Sequence, residues 1–549
     1  MEANEGRTTA GAVLDLLAAF GVRTAFGLPG VHNLAFWAAL RPGRPTIVGV
    51  RHEQTTAYAA DGLARATGGL GVALTTSGPG AANALAAFGE AAASGSPVLL
   101  IASEVSTALR RPGVVRGILH ESSDQGALFA PLAKAVYRPQ SPLAAVEAVA
   151  RAVTTAMTHP RGPVYVGIPV DVLGADMPET DGPLPVPHVP AAAGAATGDI
   201  DAALALVASS RRPVIWAGGG TVASGAADAV AALAGRLGAP VITTYAARGL
   251  LASGHPLLVD APPHEPEVDE LIVSADLMIA LGTGFDGMTT RNWAQPVPDK
   301  LLAVNVDPGH LSLAYPATVG VVGDVRLVCD SLAVRMRQRE PWAESPFRIG
   351  MDVRGRVASN PRTREAAELL ASIEAAWPAD GPLVCDMAVA GYWVGGYARR
   401  SEPRRLQYPV GWGTLGYALP ATVGAACAGA GPVLAVCGDG GVAMGLGELA
   451  TLVQERLPVT VLVVDDGGYG MLRFDQQVFG HEERGVDLVG PDWLAVAAAF
   501  GLVAEQAASA GESLRLALAR AAASGAPRLV LLKARLYPPR TTSPRWGES

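Results

Sequence analysis

The chain has 549 residues, half of them apolar and 17% charged, which supplies enough apolar material for several packed cores. A net charge of −8, with Lys and Arg scattered along the chain, argues against a nucleic-acid-binding protein. The four cysteines form no CxxC pair, which predicts a reduced, cytoplasmic protein without a zinc site. The N-terminus lacks a signal-peptide pattern, and Gly or Pro interrupts each apolar run before it could cross a membrane.

A strand, a glycine-rich turn and a helix recur three times along the chain. The turns are 77–83 (SGPGAAN), 218–220 (GGG) and 438–441 (GDGG), and each helix after them leads through a proline into another apolar strand. Apolar strands that alternate with helices are typical of parallel sheets covered on both faces. The sequence therefore predicts an α/β protein with three doubly wound parallel-sheet domains.

Pro, Gly and small polar residues collect in two stretches, 181–198 and about 340–364, which are the predicted linkers. The tail is too rich in proline for a regular helix or a central strand, so it is either disordered or an ordered flap. The predicted divisions are domains over 5–178, 195–338 and 365–537, followed by the tail 538–549.

Two acidic turns in the third domain carry the strongest functional signal. Asp439 follows one apolar strand, and Asp466 follows the next strand 27 residues later. Strands of a parallel sheet end at the same edge, where ligands bind. Two carboxylates and a backbone carbonyl there suit Mg²⁺, and the glycines allow a diphosphate to approach the backbone. The alternative is two unrelated turns with capping aspartates.

The GDG turn, followed after a helix and a strand by a second acidic turn, resembles the cofactor motif of thiamine-diphosphate enzymes. Nearly the whole chain is similar to the acetolactate synthase-like family, and some stretches resemble its guanidino-oxopentanoate decarboxylase and cyclohexanedione hydrolase branch. The resemblance implies a pyrimidine-binding, a central and a diphosphate-binding domain. It also implies that Asp439, Asp466 and the Gly468 carbonyl bind Mg²⁺, although the family usually has Asn where this chain has Asp466. Residues that it places beside the cofactor are Val389, Ala390, Gly440, Gly441, Gly470 and Met471.

Glu53 follows the apolar strand 46–50 in the run Arg51-His52-Glu53-Gln54. A lone Glu at such a junction is usually a cap or a solvated charge. The resemblance implies instead that Glu53 bonds the aminopyrimidine ring of the cofactor and promotes proton loss from the thiazolium carbon, with Asn83 also beside the cofactor.

The stretch 411–421 (GWGTLGYALPA) predicts a turn that enters a helix. The resemblance implies that the Gly413 carbonyl accepts from the 4′-amino group of the cofactor. It further implies that Leu415 wedges under the cofactor to hold its bent shape, with Thr414 beside it.

Two loops are predicted to face the substrate. His32 matches a His of the benzaldehyde lyase and cyclohexanedione hydrolase branches, next to Val31 where simple pyruvate decarboxylases have Asp. His120-Glu121 stands where acetolactate synthases have Phe-Gln, and resembles the guanidino-oxopentanoate decarboxylase. Two histidines on loops favour proton transfer with the substrate, because His titrates near neutrality. Glu121 is a further candidate, for recognition of a cationic substrate tail.

The central domain carries two glycine-rich stretches, 216–225 (WAGGGTVASG) and 281–290 (LGTGFDGMTT). Acetolactate synthases bind FAD in this domain and have an Arg near the position of Gly284, so the Gly here argues against FAD. A Rossmann-type oxidoreductase would need an acidic residue about 20 residues beyond the turn, and the stretch 239–245 has none.

The resemblance implies decarboxylation of a small-molecule 2-oxo acid with carboligation, as in acetolactate synthases. Simple decarboxylation to an aldehyde and a non-catalytic binding protein of the same fold are the alternatives. The resemblance also implies a homodimer or homotetramer, because in this family the cofactor lies between the first domain of one subunit and the third domain of another.

Overall fold

The computed structural model describes residues 7–111, 113–179, 185–343 and 345–540. Part of the first predicted linker (181–184) and most of the predicted tail (541–549) lie outside the described residues. The chain forms two compact units. The first joins the N-terminal stretch up to residue 190 with 412–429 and 445–457, and the second contains 191–411, 430–444 and the chain from 458 onward. The predicted domain boundaries stay predictions.

The first unit contains a six-stranded sheet. Its strands are β1 (Thr24–Gly27), β2 (Thr46–Gly49), β3 (Gly71–Thr75), β4 (Val98–Glu104), β5 (Ala135–Tyr137) and β6 (Val164–Pro169). All pairs are parallel, in the order β2-β1-β3-β4-β6-β5. The chain runs outward in both directions from the β1/β3 pair, so the loops after these two strands meet at the topological switch point.

Helices cover this sheet. They are α1 (Thr9–Ala19), α2 (Leu34–Ala38), α3 (Glu53–Thr67), α4 (Pro79–Asn83), α5 (Leu85–Ala93), α6 (Pro142–Met157) and α7 (Val170–Gly174). Serine or threonine caps begin two of them: Thr8 accepts from the amide of Gly11, and Ser141 accepts from the amide of Ala144. A core of fully buried side chains lies between helices and sheet, with Leu14, Leu17, Leu99, Ile101 and Val149 among them.

The second unit contains two six-stranded sheets. Strands of the central sheet are β7 (Pro213–Ala217), β8 (Val241–Thr243), β9 (Leu258–Val259), β10 (Leu277–Leu281), β11 (Leu301–Asn305) and β12 (Val319–Val322). The helices between residues 191 and 382 are α8 (Thr197–Ala208), α9 (Gly219–Ala223), α10 (Ala227–Leu237), α11 (Pro266–Ser274), α12 (Val325–Arg335), α13 (Pro346–Ser359) and α14 (Arg364–Ala376). The strand order is β12-β11-β10-β7-β8-β9, with all pairs parallel.

The third sheet positions the predicted metal ligands. Its strands are β13 (Leu383–Cys385), β14 (Leu406–Gln407), β15 (Val433–Gly438), β16 (Val459–Asp465), β17 (Val503–Ala507) and β18 (Arg528–Lys533). They are all parallel, in the order β14-β13-β15-β16-β18-β17. The three parallel sheets confirm the predicted α/β fold. The remaining helices are α15 (Val389–Tyr397), α16 (Ala418–Cys427), α17 (Asp439–Met444), α18 (Glu448–Gln454), α19 (Gly470–Val478), α20 (Trp493–Ala499) and α21 (Glu512–Ala523).

Helix α16 packs backbone to backbone against α3 within the first unit. A Cβ atom on Gly62 would lie 2.1 Å from the carbonyl oxygen of Ala421. One on Gly424 would lie 1.7 Å from the carbonyl oxygen of Ala59. Glycine at both crossing points therefore permits the contact, since any side chain would hold the helices apart.

No helix in the described part of the chain is both long and apolar enough to cross a membrane.

Candidate active site

Asp439 and Asp466 emerge from neighbouring strands at one sheet edge. Asp439 begins α17 directly after β15, and Asp466 follows β16, whose Val464 pairs with Gly438. Asp439 is only 3% exposed. Among the described residues, Asp439 Oδ2 and Asp466 Oδ1 are buried without a hydrogen-bond partner. Two neighbouring carboxylates, each with a buried oxygen that accepts no hydrogen bond, would be stabilised by a nearby positive charge.

The pKa values of both carboxyls are raised. Burial and the Asp439 carboxylate raise the pKa of Asp466 to about 6, against an opposing effect of Arg473. Burial and the Asp465 carboxylate raise the pKa of Asp439. Arg473 Nη1 lies 4.0 Å from Asp466 Oδ1 but also binds Asp487 at 2.8 Å, so it compensates the pair only in part. A bound cation would stabilise both ionised forms.

Glycines shape the space around the two aspartates. Gly468 has a φ of 157°, and a Cβ there would lie 2.0 Å from the carbonyl oxygen of Val486. The segment after it is fixed because Val486 accepts from the amide of Tyr469 at 2.8 Å. At Gly441 a Cβ would lie 2.2 Å from Asp386 Oδ2, and at Gly470 it would lie 1.8 Å from Asp466 Oδ2. Side chains at Gly441 and Gly470 would therefore collide with these carboxylates, and glycine allows the carboxylates to lie against the backbone.

The other residues of this unit that are predicted to lie beside the cofactor follow the same sheet edge. Val389 and Ala390 begin α15 after β13, the strand next to β15, and are 7% and 2% exposed. A Cβ at Gly440 would lie 2.7 Å from the ring of Tyr469, and Met471 is partly buried against the core. Within the described ranges, no group of three or more His, Cys, Asp or Glu side chains could hold a metal. Two carboxylates with backbone and diphosphate oxygens fit Mg²⁺ without such a group.

In the first unit, Glu53 is the first residue of α3. Asn83 Nδ2, at the end of α4, donates to Glu53 Oε2 at 3.0 Å. The other oxygen, Oε1, would lie 3.3 Å from a Cβ on Gly80. The structure thus brings Glu53 and Asn83, which the sequence predicted separately, into direct contact.

A serine that the sequence analysis did not single out connects the two predicted histidines. Ser77 Oγ lies 2.5 Å from His32 Nδ1 and 3.3 Å from His120 Nδ1. The two rings are 5.4 Å apart, edge to face. His32 follows β1 and Ser77 follows β3, so both sit at the topological switch point. We call His32, Ser77 and His120 the histidine cluster.

Gln125 holds the turn that carries Ser77. Its Oε1 accepts from the amide of Gly78 at 2.6 Å, and its Nε2 donates to the Ser103 carbonyl and to Tyr165 Oη. Burial, and then the nearby His120, lower the pKa of His32. His32 is therefore in its neutral form at neutral pH, able to accept a proton.

Within the first unit, the segment 412–417 is bound to α3 and α5 through a buried ionic network. Thr414 Oγ1 donates to Glu90 at 3.0 Å, and Tyr417 Oη donates to Asp61 at 3.0 Å. Arg65 binds Glu90 at 2.9 Å and Asp61 at 2.8 Å, and both carboxylates are fully buried. The turn itself requires glycine, since φ is positive at Gly411, Gly413 and Gly416. Leu415 is 41% exposed, and is therefore available for contact with a ligand.

Comparison with known proteins decides the family. Models of the thiamine pyrophosphate enzymes match the chain in order: the N-terminal TPP binding domain over 7–128, the central domain over 200–332 and the C-terminal TPP binding domain over 386–532. The chain is 36% identical to a probable 2-ketoarginine decarboxylase, AruI, from Pseudomonas aeruginosa, over 92% of this chain and 90% of that protein. This chain belongs to the thiamine pyrophosphate enzymes.

Other relatives of this thiamine pyrophosphate enzyme are acetolactate synthases. A probable acetolactate synthase large subunit from Methanocaldococcus jannaschii is 30% identical over 91% of this chain and 88% of its own length. The acetolactate synthase of Mycobacterium bovis is 30% identical over 90% of this chain and 83% of its own length. Family membership and the predicted acetolactate synthase-like resemblance are thereby confirmed. The two TPP binding domains indicate thiamine diphosphate as the cofactor of the enzyme.

Glu121 of this thiamine pyrophosphate enzyme is engaged within its own loop. Its Oε2 accepts from the amides of Arg116 at 2.7 Å and Ile118 at 3.1 Å. The amides of Ile118 and Arg116 lower the pKa of Glu121. This carboxylate therefore stabilises the turn before His120.

A cavity of about 180 Å³ opens next to His120 in the same unit. Two ion pairs line it, Arg110 with Glu104 at 2.5 Å and Arg138 with Asp124 at 2.8 Å. The cavity is therefore polar, with most of its charges paired.

Proposed function

We propose that this protein is a thiamine-diphosphate- and Mg²⁺-dependent enzyme that decarboxylates a small 2-oxo acid. The observation that carries the proposal is the pair of carboxylates at Asp439 and Asp466, each with a buried oxygen that accepts no hydrogen bond. A divalent cation would supply the missing charge, and diphosphate oxygens would complete its coordination. The Gly468 carbonyl is the proposed third protein ligand.

When bound, thiamine diphosphate supplies the nucleophilic carbon and the electron sink that loss of CO₂ requires. Glu53 is the proposed proton carrier of the cofactor ring. We assign this role to Oε1, because Oε2 already accepts from Asn83. Gly413 and Leu415 are proposed to hold the cofactor from the other side, on a turn that Thr414 anchors to Glu90.

The histidine cluster favours an aldehyde as the product. After loss of CO₂, a proton delivered through His32 or His120 to the former carboxyl-bearing carbon gives an aldehyde. Ser77 lies within hydrogen-bond reach of both rings, so it can pass a proton between them. The relative named as a probable 2-ketoarginine decarboxylase supports this outcome.

Carboligation, in which a second carbonyl compound replaces the proton, is the second candidate. The relatives named as acetolactate synthases support it. In either case we propose a cytoplasmic homodimer or homotetramer, on the strength of the family resemblance alone.

The deciding experiment is incubation of the enzyme, loaded with thiamine diphosphate and Mg²⁺, with a panel of 2-oxo acids. The panel includes pyruvate, branched 2-oxo acids and 5-guanidino-2-oxopentanoate, whose polar tail suits the charged cavity beside His120. Products are read by NMR as aldehyde or acyloin, and CO₂ is measured in parallel.

Glu53→Gln is the matched catalytic variant, and exposed Glu147→Gln is its control. We expect Glu53→Gln to lower turnover by about 100-fold or more, and Glu147→Gln to match wild type. Acyloin in place of aldehyde would favour the second candidate. If the cofactor stabilises the protein but no 2-oxo acid releases CO₂, the remaining interpretation is a non-catalytic binding protein.

A further inference from the structure

The backbone just before Glu53 is hydrogen-bonded to a residue from a distant part of the chain. Arg51 and His52 join β2 to α3, and His52 is the extended N-cap residue. Its ring nitrogen Nδ1 accepts from the amide of Gln54 at 3.2 Å. The amide of Arg51 is instead bound by a residue almost 400 positions later in the chain, Glu448.

Glu448 begins α18 and is 1% exposed. The amide of Arg51 donates to both of its carboxylate oxygens, at 3.0 Å and 3.3 Å. Thr451 Oγ1 donates to Oε2 at 2.6 Å, so the carboxylate is held in one orientation. Buried hydrogen bonds to an ionised acceptor are stronger than neutral ones.

Two further contacts fix Arg51 against the same helix. Its Nη2 donates to Oε1 of Gln454, the last residue of α18, at 2.7 Å. Gly447 lies directly under its side chain, since a Cβ there would be 3.1 Å from Arg51 Cβ. Backbone and side chain of Arg51 are thus both held by 447–454, within the first unit.

We propose that Glu448 is a positioning residue for Glu53. It fixes the backbone two residues before Glu53, and with it the point from which α3 and the Glu53 side chain start. Small displacements of a proton-transfer group lower the rate steeply, by about 100-fold for a shift near 1 Å. This inference rests on the proposed function, because it gives Glu53 the role of proton carrier.

The test measures proton loss from the cofactor itself, in the absence of substrate. Enzyme loaded with thiamine diphosphate and Mg²⁺ is mixed into D₂O and quenched with acid, and exchange at the thiazolium carbon is read by proton NMR. The variants are Glu448→Gln, Glu53→Gln and the double variant. Glu147→Gln, exposed on α6 and outside the contacts with Arg51, is the control.

Glu448→Gln keeps the size of the side chain but places an amide group against the N–H of Arg51. We expect exchange at the thiazolium carbon in Glu448→Gln to be about 10- to 100-fold slower than in wild type. The thermal midpoint of the control variant should be nearly unchanged. Glu53→Gln slows exchange further. In the double variant Glu448→Gln adds nothing more, because it acts only through Glu53.

Wild-type exchange in Glu448→Gln, with slow exchange in Glu53→Gln, would overturn the positioning role and leave the proposed function standing. Equal slowing by Glu448→Gln with and without Glu53 would also overturn it. Wild-type exchange in Glu53→Gln would instead remove the proton carrier on which both proposals depend. If Glu448→Gln does not fold, Thr451→Val removes only the hydroxyl that orients the carboxylate, and a smaller slowing is expected.

Discussion

A Cβ atom on Gly424 would lie 1.7 Å from the carbonyl oxygen of Ala59. Helices α16 and α3 therefore touch through their backbones at this point. We predict that Gly424→Ala lowers stability by about 3 kcal/mol or more, because the helices must separate to admit one methyl group. Differential scanning calorimetry of the cofactor-free protein measures this as a lower thermal midpoint.

Gly235→Ala is the control for this substitution. Gly235 also lies inside a helix, α10, but a Cβ there meets nothing within 4 Å. Alanine is the better helix former, so we expect a gain of about 0.5–1 kcal/mol. Equal shifts in the two variants would mean that helix propensity, and not the backbone contact, decides the effect at Gly424.

Arg65 provides the second prediction. It is the cation shared by Asp61 and Glu90, both fully buried. Arg65→Met leaves two buried carboxylates without their partner, which typically costs about 3–5 kcal/mol. The apparent midpoint of thermal or urea unfolding should fall accordingly. Arg326→Met removes an exposed pair with Asp330 and should change stability by less than about 1 kcal/mol. A small effect at Arg65 would contradict the buried network.

The third prediction concerns the titration of His32. Its pKa is lowered first by burial and then by His120. The neutral ring is therefore favoured in the folded protein, and the stability it contributes above pH 6.5 is lost as the pH falls through the lowered pKa. In His120→Gln the second cause disappears, so we expect the pKa of His32 to rise while staying below 6.5. Proton NMR of the ring Cε1–H measures it, with exposed His310→Gln as control. No rise in His120→Gln would contradict the contact.

The fourth prediction concerns charge at the proposed metal site. The pKa of Asp466 is raised to about 6, so the folded protein favours the protonated carboxyl. The stability that this form contributes is fully present below about pH 4 and is lost as the pH rises through about 6. In EDTA, Asp466→Asn should therefore be more stable than wild type at pH 7, by up to about 3 kcal/mol, and less so at pH 4.5. Thermal unfolding across that range measures it. Exposed Asp380→Asn should follow wild type, and parallel curves for Asp466→Asn and wild type would refute the prediction.

The three sheets could be predicted because their central strands carry a local signal. Val433–Gly438 and Val459–Asp465 are apolar runs bounded by Gly or Pro, and both are buried strands in the structure. The placement of α16 with the N-terminal unit had no such signal. This helix is apolar on every side, so its periodicity does not say which surface it covers.

The candidate site was predictable residue by residue, but not as a set of contacts. His32 and His120 were each singled out from their own loops. The bridging role of Ser77 depends on β1 and β3 being neighbours, which follows from the strand order and not from local sequence. Ser77 opens the motif SGPGAAN two residues after β3, and this position at the switch point is the signal that would have identified it. Glu448 carries no local signal, because its partner lies 397 residues away.

The interleaved first unit has a consequence for synthesis. Residues up to 190 leave the ribosome first, but the segments 412–429 and 445–457 that complete their unit follow only after the whole central sheet. At a synthesis rate of roughly 5–20 residues per second, the glycine and alanine face of α3 remains without its helical partner for on the order of 10–50 s. During that interval the nascent chain exposes a small-residue surface, and Asp61 and Glu90 lack the hydroxyl donors Tyr417 and Thr414. Chaperone occupancy and misassembly with neighbouring nascent chains should therefore concentrate in this window.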